Sequence, residues 1–308
     1  MTDCVIVQPI AAAGIDRLRA AGLSVFFAPG PALEDMAGPL ATARAVITRN
    51  AGFSHRHIAA APHLRVIGVH GTGTDRVDVQ AARARGIAVL NTPGTNAVAV
   101  AEHALALMLA LAKALGPADA ALRGGNFGFR DGAPVFELAG RRLGLLGWGR
   151  VARHLAGMGA ALGMRVAVCS AHADGAELAA LGIRSVADAD RLCAMSDVLS
   201  LHGLAAAAPV IDARRIALMP PGALLINTAR GALVDSAALV SALRGGRLGG
   251  AGIDVFATEP PPADDPLLAP CPNLILTPHI GGSAQEALDR TALAVAGLVL
   301  ERLQQEGR

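Results

Sequence analysis

Twelve short apolar runs, spaced by helical stretches, constrain this chain more than any other feature. Five come first: CVIVQ (4–8), SVFFA (24–28), AVIT (45–48), LRVIGV (64–69) and IAVLN (87–91). Seven follow: RLGLLG (142–147), MRVAVC (164–169), IRSV (183–186), DVLSL (197–201), ALLIN (223–227), GAGID (250–254) and NLILT (273–277). Runs that are apolar throughout, rather than alternating, suit strands buried on both faces, as in a parallel sheet covered by helices. Stretches 11–21 and 76–85 read as two of those helices. The two series predict an α/β protein with two doubly wound parallel sheets. The turn cluster NTPGTN (91–96) marks the boundary, just before a long helix over 97–115. Segment 116–140, which carries GP, GG and DGAP, reads as loop. A last helix near 284–304 follows the completed second sheet and is expected to return to the first domain. The division is therefore 1–96 plus 281–308, and 97–280.

Composition excludes several partner classes. The chain has 308 residues, 53% hydrophobic and 17% charged, enough for two cores. Net charge is only +2 with no basic run, so neither nucleic acid nor a membrane surface is an expected partner. High Ala and Gly point to close helix–sheet packing. The start, MTDCVIVQP, shows no signal peptide. The apolar stretch 97–116 is interrupted by Glu102, His103 and Lys113, short of the ~20 residues of a membrane span. Cys4, Cys169, Cys193 and Cys271 form no CxxC pair. Reduced thiols in a cytoplasmic protein, and no metal site, are expected.

The strongest local signal is RLGLLGWGRVARHLAGMGA (142–160). A strand runs into Gly147-Trp148-Gly149-Arg150-Val151-Ala152 and then a helix. Gly147 permits the tight turn, Gly149 lets a pyrophosphate approach the backbone, and Ala152 is small enough for helix–strand packing. Free N–H groups at the helix start favour the anion. An acid is expected about 20 residues on to bind the adenosine ribose. Ser170-Ala171-His172 stands there instead. Ser170 can still bond the ribose but does not repel a 2′-phosphate, and a protonated His172 would attract one. The cofactor is NAD or NADP, undecided between them.

Four long stretches now align with one family: ELAGRRLGLLGWGRVA (137–152), LLINTARGALVDSAALVSAL (224–243), GAGIDVFATEPPP (250–262) and LTPHIGGSAQEA (276–287). Over nearly its whole length the chain resembles the D-isomer-specific 2-hydroxyacid dehydrogenases. That family includes phosphoglycerate dehydrogenases, glyoxylate and hydroxypyruvate reductases and formate dehydrogenases. The resemblance implies a Rossmann cofactor domain (97–280) inserted into a flavodoxin-like substrate domain, and a dimer built through the cofactor domain. It implies Arg230 as the substrate-binding arginine, Glu259 as the acid of VFxxEP and His279 as the histidine of PHIGG. These roles also make chemical sense. Hydride transfer to a 2-keto acid leaves an alkoxide that needs a proton, and imidazole is a suitable donor. A carboxylate beside it stabilises the imidazolium and fixes the ring. A guanidinium fork grips a carboxylate and polarises a carbonyl. Each residue follows an apolar strand, and carboxyl strand ends line the ligand crevice of such sheets.

By resemblance, Asp254 holds the nicotinamide carboxamide, and His202, Thr228 and the backbone near Val100 face the cofactor. Arg49 approaches the substrate, and backbone N–H groups of Gly71, Thr72 and Gly73 form a nest for its carboxylate. Two departures stand out. The family's Pro and Thr after DVLSLH are replaced by the run 203–209, Gly-Leu-Ala-Ala-Ala-Ala-Pro. Val69-His70 stands where phosphoglycerate-oxidising members often carry Arg, which favours an unphosphorylated substrate. The chain also ends soon after its last helix, so no C-terminal regulatory domain is expected. The expected activity is hydride transfer between NAD(P)H and a small 2-keto acid, with hydroxypyruvate or glyoxylate favoured. Phosphoglycerate oxidation is the alternative, and so is a dinucleotide-sensing binding protein without turnover.

Overall fold

The structure is a computed structural model that describes residues 2–203 and 208–305. Its strands are β1 (Cys4–Ile6), β2 (Val25–Phe27), β3 (Ala45–Thr48), β4 (Val66–Val69), β5 (Ala88–Asn91), β6 (Arg142–Leu146), β7 (Arg165–Cys169), β8 (Arg184–Ser185), β9 (Val198–Leu201), β10 (Ala223–Asn227), β11 (Leu248–Ile253) and β12 (Leu274–Leu276). Each lies within or across one of the twelve apolar runs. The chain divides into two compact units, Met1–Asn96 with Gly282–Arg308, and Ala97–Gly281. Gly281 falls one residue on the other side of the expected boundary because its N–H is held by Asp254 of the second unit.

The first unit carries a five-stranded sheet in the order β2-β1-β3-β4-β5, all parallel. This is the flavodoxin-like order. Val5, Val46 and Ile67 face one buried layer, while Cys4, Ile6, Ile47 and Val66 face the other. The second layer is closed by the terminal helix Gln285–Gln305, through Ala292, Val295 and Val299.

The second unit carries seven parallel strands in the order β12-β11-β10-β9-β6-β7-β8. Counted within the unit this is the doubly wound order 3-2-1-4-5-6 with a seventh strand added beyond β11. The order reverses between β6 and β9, and ligands of such sheets bind at the carboxyl ends beside that reversal. Alternate residues again face two layers, Leu224 and Ile226 on one and Leu225 on the other. The helix Ala97–Ala112 covers the first of these layers. At Gly252 of β11 an added Cβ would lie 2.9 Å from Leu107 Cβ, so the glycine sets how closely this helix packs.

One helical expectation is corrected. The long helix stops at Ala112, Ala114 takes a left-handed conformation (φ 47°), and a second helix runs Leu115–Arg123 through the stretch expected to be loop. A 3-10 turn follows at Phe127–Asp131. Gly116 and Pro117 look like breakers in the sequence. They sit in the first turn of the second helix, where N–H groups have no intrahelical acceptor and proline is tolerated. No single helix among the described residues is long and apolar enough to cross a membrane, and the pair 97–112 and 115–123 is bent by 55°.

All four cysteines are free thiols. Burial pushes the Cys4 thiol up to about 12 and that of Cys193 up to about 11, so neither is a nucleophile at neutral pH.

Candidate active site

In the second unit, β6 ends in the glycine turn. Gly147 has φ 105°, a conformation that side-chain-bearing residues rarely adopt, and an added Cβ would lie 2.7 Å from the His202 carbonyl oxygen. Glycine is required there on both counts. Gly149 is the N-cap of the helix Arg150–Ala161 and offers no side-chain cap to its first N–H groups. A Cβ at Gly149 would meet nothing within 4 Å. Backbone donors at the start of that helix thus open toward the edge where the strands end. Arg150 and half-buried Val151 form its first turn, and Ala152 is fully buried beneath it.

Trp148 behaves differently from its neighbours. Its side chain is buried in the layer with Leu155 and Leu178, and its indole N–H donates to Glu177 Oε2 at 3.1 Å. Arg153 stacks over the ring and pairs with Glu177. The side chain is therefore a packing element, and only the Trp148 backbone faces the turn. Glu177 escapes a reading of the sequence because its partners lie two elements away in the chain. At the end of β7, the half-buried Ser170 accepts from the His172 N–H at 3.3 Å, and His172 is exposed.

Two of the expected cofactor positions carry unsatisfied polar atoms. His202 Nε2 and Thr228 Oγ1 are buried and have no hydrogen-bond partner among the described residues, at the carboxyl ends of the adjacent strands β9 and β10. Burial pushes the His202 imidazole down to about 4, so it is neutral at pH 7. Buried polar atoms without partners are uncommon and suit a bound polar group. Together with the open face at Gly149 and the uncapped helix start, they fit a dinucleotide. Val100 is half-buried in the first turn of the helix Ala97–Ala112. The run Leu204–Ala207, where the family's Pro and Thr contacts are replaced, lies outside the described residues.

The three chemically competent side chains all follow strands of this sheet, on its carboxyl edge. Arg230 follows β10 in a turn built by Asn227, whose Oδ1 accepts from the Ala229 N–H and whose Nδ2 donates to the Arg230 carbonyl. The Arg230 guanidinium donates to the Ala229 carbonyl at 2.7 Å. Next to it, Gly231 lies against the chain after β11, where an added Cβ would come within 1.9 Å of the Phe256 carbonyl carbon. That contact draws the Arg230 turn against the loop carrying Glu259. Glu259 Oε1 accepts from the Phe256 N–H at 3.1 Å, and its Oε2 lies 2.8 Å from His279 Nδ1. With Nδ1–H donating to the carboxylate, Nε2 is the ring nitrogen left to exchange a proton.

His279 has φ 54°, a left-handed conformation costly for a residue with a side chain. Asp254, 1% exposed, holds that geometry. Its carbonyl accepts from the His279 N–H at 2.8 Å. Its carboxylate accepts from the N–H groups of Ile280 and Gly281, each at 2.9 Å, and from Thr277 Oγ1 at 2.6 Å. His103 Nε2 lies 2.9 Å from Thr277 Oγ1 and 3.4 Å from Asp254 Oδ1. Burial alone would raise the Asp254 carboxyl; hydrogen bonds from His103, Thr277 and the two amides outweigh it and hold it below the usual carboxylate range. Neither His103 nor Thr277 stands out as a site residue in the sequence. A hydroxyl two residues before the histidine is the one signal available there.

In the first unit, half-buried Arg49 donates to the Pro9 carbonyl at 3.2 Å, and no carboxylate pairs with it among the described residues. Burial lowers its pKa. His70 is 7% exposed; burial, and then the Arg49 charge, push its imidazole down to about 4. The nest expectation is narrowed. The Gly71 N–H is taken by Thr92 Oγ1 at 3.0 Å and the Val69 carbonyl, which leaves the N–H groups of Thr72 and Gly73.

A doubly wound sheet with a glycine turn at its reversal, an imidazole–carboxylate pair and a guanidinium on the same edge is the arrangement of a dinucleotide-binding domain with proton-exchanging and anion-binding groups beside it. Residues 105–281 match the family model described as D-isomer specific 2-hydroxyacid dehydrogenase, NAD binding domain. The chain belongs to the D-isomer specific 2-hydroxyacid dehydrogenase family. It is 38% identical over 277 residues to the D-3-phosphoglycerate dehydrogenase of Mycobacterium tuberculosis, covering 89% of this chain and 52% of that protein. The chain thus spans about half the length of the curated relatives it matches. Among solved structures, the TT0316 protein from Thermus thermophilus superposes with a TM-score of 0.90 and 33% identity, covering 99% of this chain and 97% of that one. D-Lactate dehydrogenase from Aquifex aeolicus, complexed with NAD and lactic acid, superposes with a TM-score of 0.87 and 27% identity, covering 99% and 98%.

Proposed function

We propose that the protein reduces a small 2-keto acid with NADH or NADPH, hydroxypyruvate or glyoxylate first among candidates, and oxidises the D-2-hydroxy acid in reverse. The observation that carries this reading is the 2.8 Å His279–Glu259 pair on the same sheet edge as the glycine turn. When bound, the dinucleotide supplies or accepts the hydride. His279 Nε2 gives a proton to the developing alkoxide and takes it back in the reverse reaction. Glu259 stabilises the imidazolium and fixes the ring. Arg230 grips the substrate carboxylate and polarises its carbonyl. Arg49 and the N–H groups of Thr72 and Gly73 are proposed as further contacts to the substrate anion.

For the dinucleotide, the backbone at Gly147, Trp148 and Gly149 and the N–H groups of Arg150 and Val151 would hold the pyrophosphate. His202 and Thr228 would offer their unpartnered atoms, and the backbone near Val100 would face the cofactor. Asp254 Oδ2 accepts one hydrogen bond and has capacity left for the carboxamide. Ser170 would bond the ribose. Ser170 carries no charge to repel a 2′-phosphate, so both NADH and NADPH are candidates.

Val69-His70, standing where phosphoglycerate-oxidising members often carry Arg, favours an unphosphorylated substrate, since a phosphate dianion favours several cations. The relatives named D-3-phosphoglycerate dehydrogenase favour the second reading, oxidation of a phosphorylated hydroxy acid. A homodimer fits the exposed apolar side chains of Leu115, Leu122, Phe127 and Val135; light scattering that finds only monomer would defeat it. Four free thiols fit a reducing, cytoplasmic setting.

A matrix of 2-keto acids against NADH and NADPH tests the activity. Turnover with hydroxypyruvate or glyoxylate is expected. Turnover confined to phosphohydroxypyruvate favours the second reading, and tight dinucleotide binding with no turnover points to a sensor.

A further inference from the structure

We propose that His103 and Thr277 are positioning residues for the proton-donating histidine, acting through Asp254; the proposal rests on His279 having that role. The hydroxyl of Thr277 has a single hydrogen. At 2.6 Å from Asp254 Oδ1 that hydrogen goes to the carboxylate, because an ionised carboxylate only accepts. The lone pairs of the hydroxyl then face His103, 2.9 Å away, so His103 Nε2 carries a hydrogen and donates it. A directed chain results: imidazole to hydroxyl, hydroxyl to carboxylate, with the carboxylate also accepting from the N–H groups of Ile280 and Gly281. Those two amides are the next in the chain after His279.

The placement has a purpose that ordinary loop packing does not supply. His279 is held at φ 54°, and such a backbone persists only where its surroundings over-determine it. The N–H groups of three successive residues, 279 to 281, all end on Asp254, one on its carbonyl and two on its carboxylate. Thr277 orients the carboxylate, and His103 fixes Thr277 from the helix Ala97–Ala112. The space is tight as well: a Cβ on Gly281 would lie 2.9 Å from Asp254 Oδ2 and 3.4 Å from His103 Cδ2. A rotation of Asp254 would therefore shift the backbone that aims His279 Nε2. Misplacement by about 1 Å can cost on the order of 10²-fold in rate.

The test compares Thr277→Val, which keeps shape and removes the hydroxyl, with Thr277→Ser, which keeps the hydroxyl. Steady-state kinetics are measured on the enzyme saturated with dinucleotide, and amide hydrogen exchange on the same proteins. In Thr277→Val, kcat at saturating dinucleotide is expected to fall about tenfold or more, with the KM for keto acid little changed. Exchange at Ile280 and Gly281 should accelerate, with exchange in β10 unchanged. Thr277→Ser should restore both. His103→Leu, which leaves Thr277 in place, provides a second arm and should move both readouts in the same direction. Unchanged exchange in Thr277→Val, or faster exchange with unchanged kcat, overturns the proposal, as does a serine variant as impaired as the valine one. A wild-type protein that turns over no 2-keto acid defeats the proposed function separately. The exchange arm then still decides whether the chain holds the loop.

Discussion

Replacing His279 by alanine is expected to lower kcat/KM for 2-keto acid reduction by about 10²-fold or more, while dinucleotide affinity stays near that of the parent enzyme. The ring contributes one nitrogen bonded to Glu259 and a second available for proton exchange. Its removal takes away the proposed proton source without touching the glycine turn. Glu259→Gln should have a smaller effect, because an amide oxygen still accepts from Nδ1–H but carries no charge to stabilise the imidazolium. Arg230→Ala should also lower kcat/KM by about 10²-fold or more, since it removes the group proposed to orient and polarise the substrate. A fluorescence titration with dinucleotide separates these effects from loss of the cofactor site. A near-normal rate for His279→Ala would remove the histidine from the mechanism.

The second large effect is expected at a residue that touches no substrate. Gly231→Ala places a methyl group 1.9 Å from the Phe256 carbonyl carbon, 2.2 Å from the Ala257 nitrogen and 2.3 Å from the Phe256 oxygen. All three are main-chain atoms, so no rotamer change relieves the overlap. Either the turn carrying Arg230 or the loop carrying Glu259 must move. Overpacking of this kind costs about 1–3 kcal/mol, and the accompanying displacement of Arg230 should lower kcat/KM by about 10²-fold. Thermal unfolding and kinetics together check it. A Gly231→Ala enzyme with parental Tm and rate would show that the two loops are not held in the described contact.

The sheets are legible in the sequence for a physical reason. Strands buried on both faces, such as Ala45–Thr48 and Ala223–Asn227, are apolar at every position but the last, and such runs stand out without any alignment. The helix Leu115–Arg123 is hidden because Gly116 and Pro117 punctuate a chain in most contexts, and only their place in a first turn makes them harmless. The same limit applies at the site. Arg230, Glu259 and His279 can be found one by one, since each follows an apolar strand. What aims them cannot. The Asp254 carboxylate gathers Thr277, Ile280 and Gly281 from more than 20 residues away, and the Trp148 indole turns from the glycine turn toward Glu177. Such contacts arise when strands become neighbours and leave no periodicity behind. The Gly71 N–H is a third case: the resemblance places it in a nest, and its hydrogen bond to Thr92 takes it out of that nest.

The most direct test of hydride transfer at this site follows deuterium from C4-deuterated NADH or NADPH to a keto acid, with the product resolved by chirality. A D-2-hydroxy acid labelled at C2 is predicted, formed from hydroxypyruvate or glyoxylate-type substrates by the parent enzyme and lost in His279→Ala. For glyoxylate, whose product is achiral apart from the label, the label at C2 is the readout. Product of L configuration, label absent from C2, or undiminished transfer in the His279→Ala enzyme would contradict the proposed mechanism.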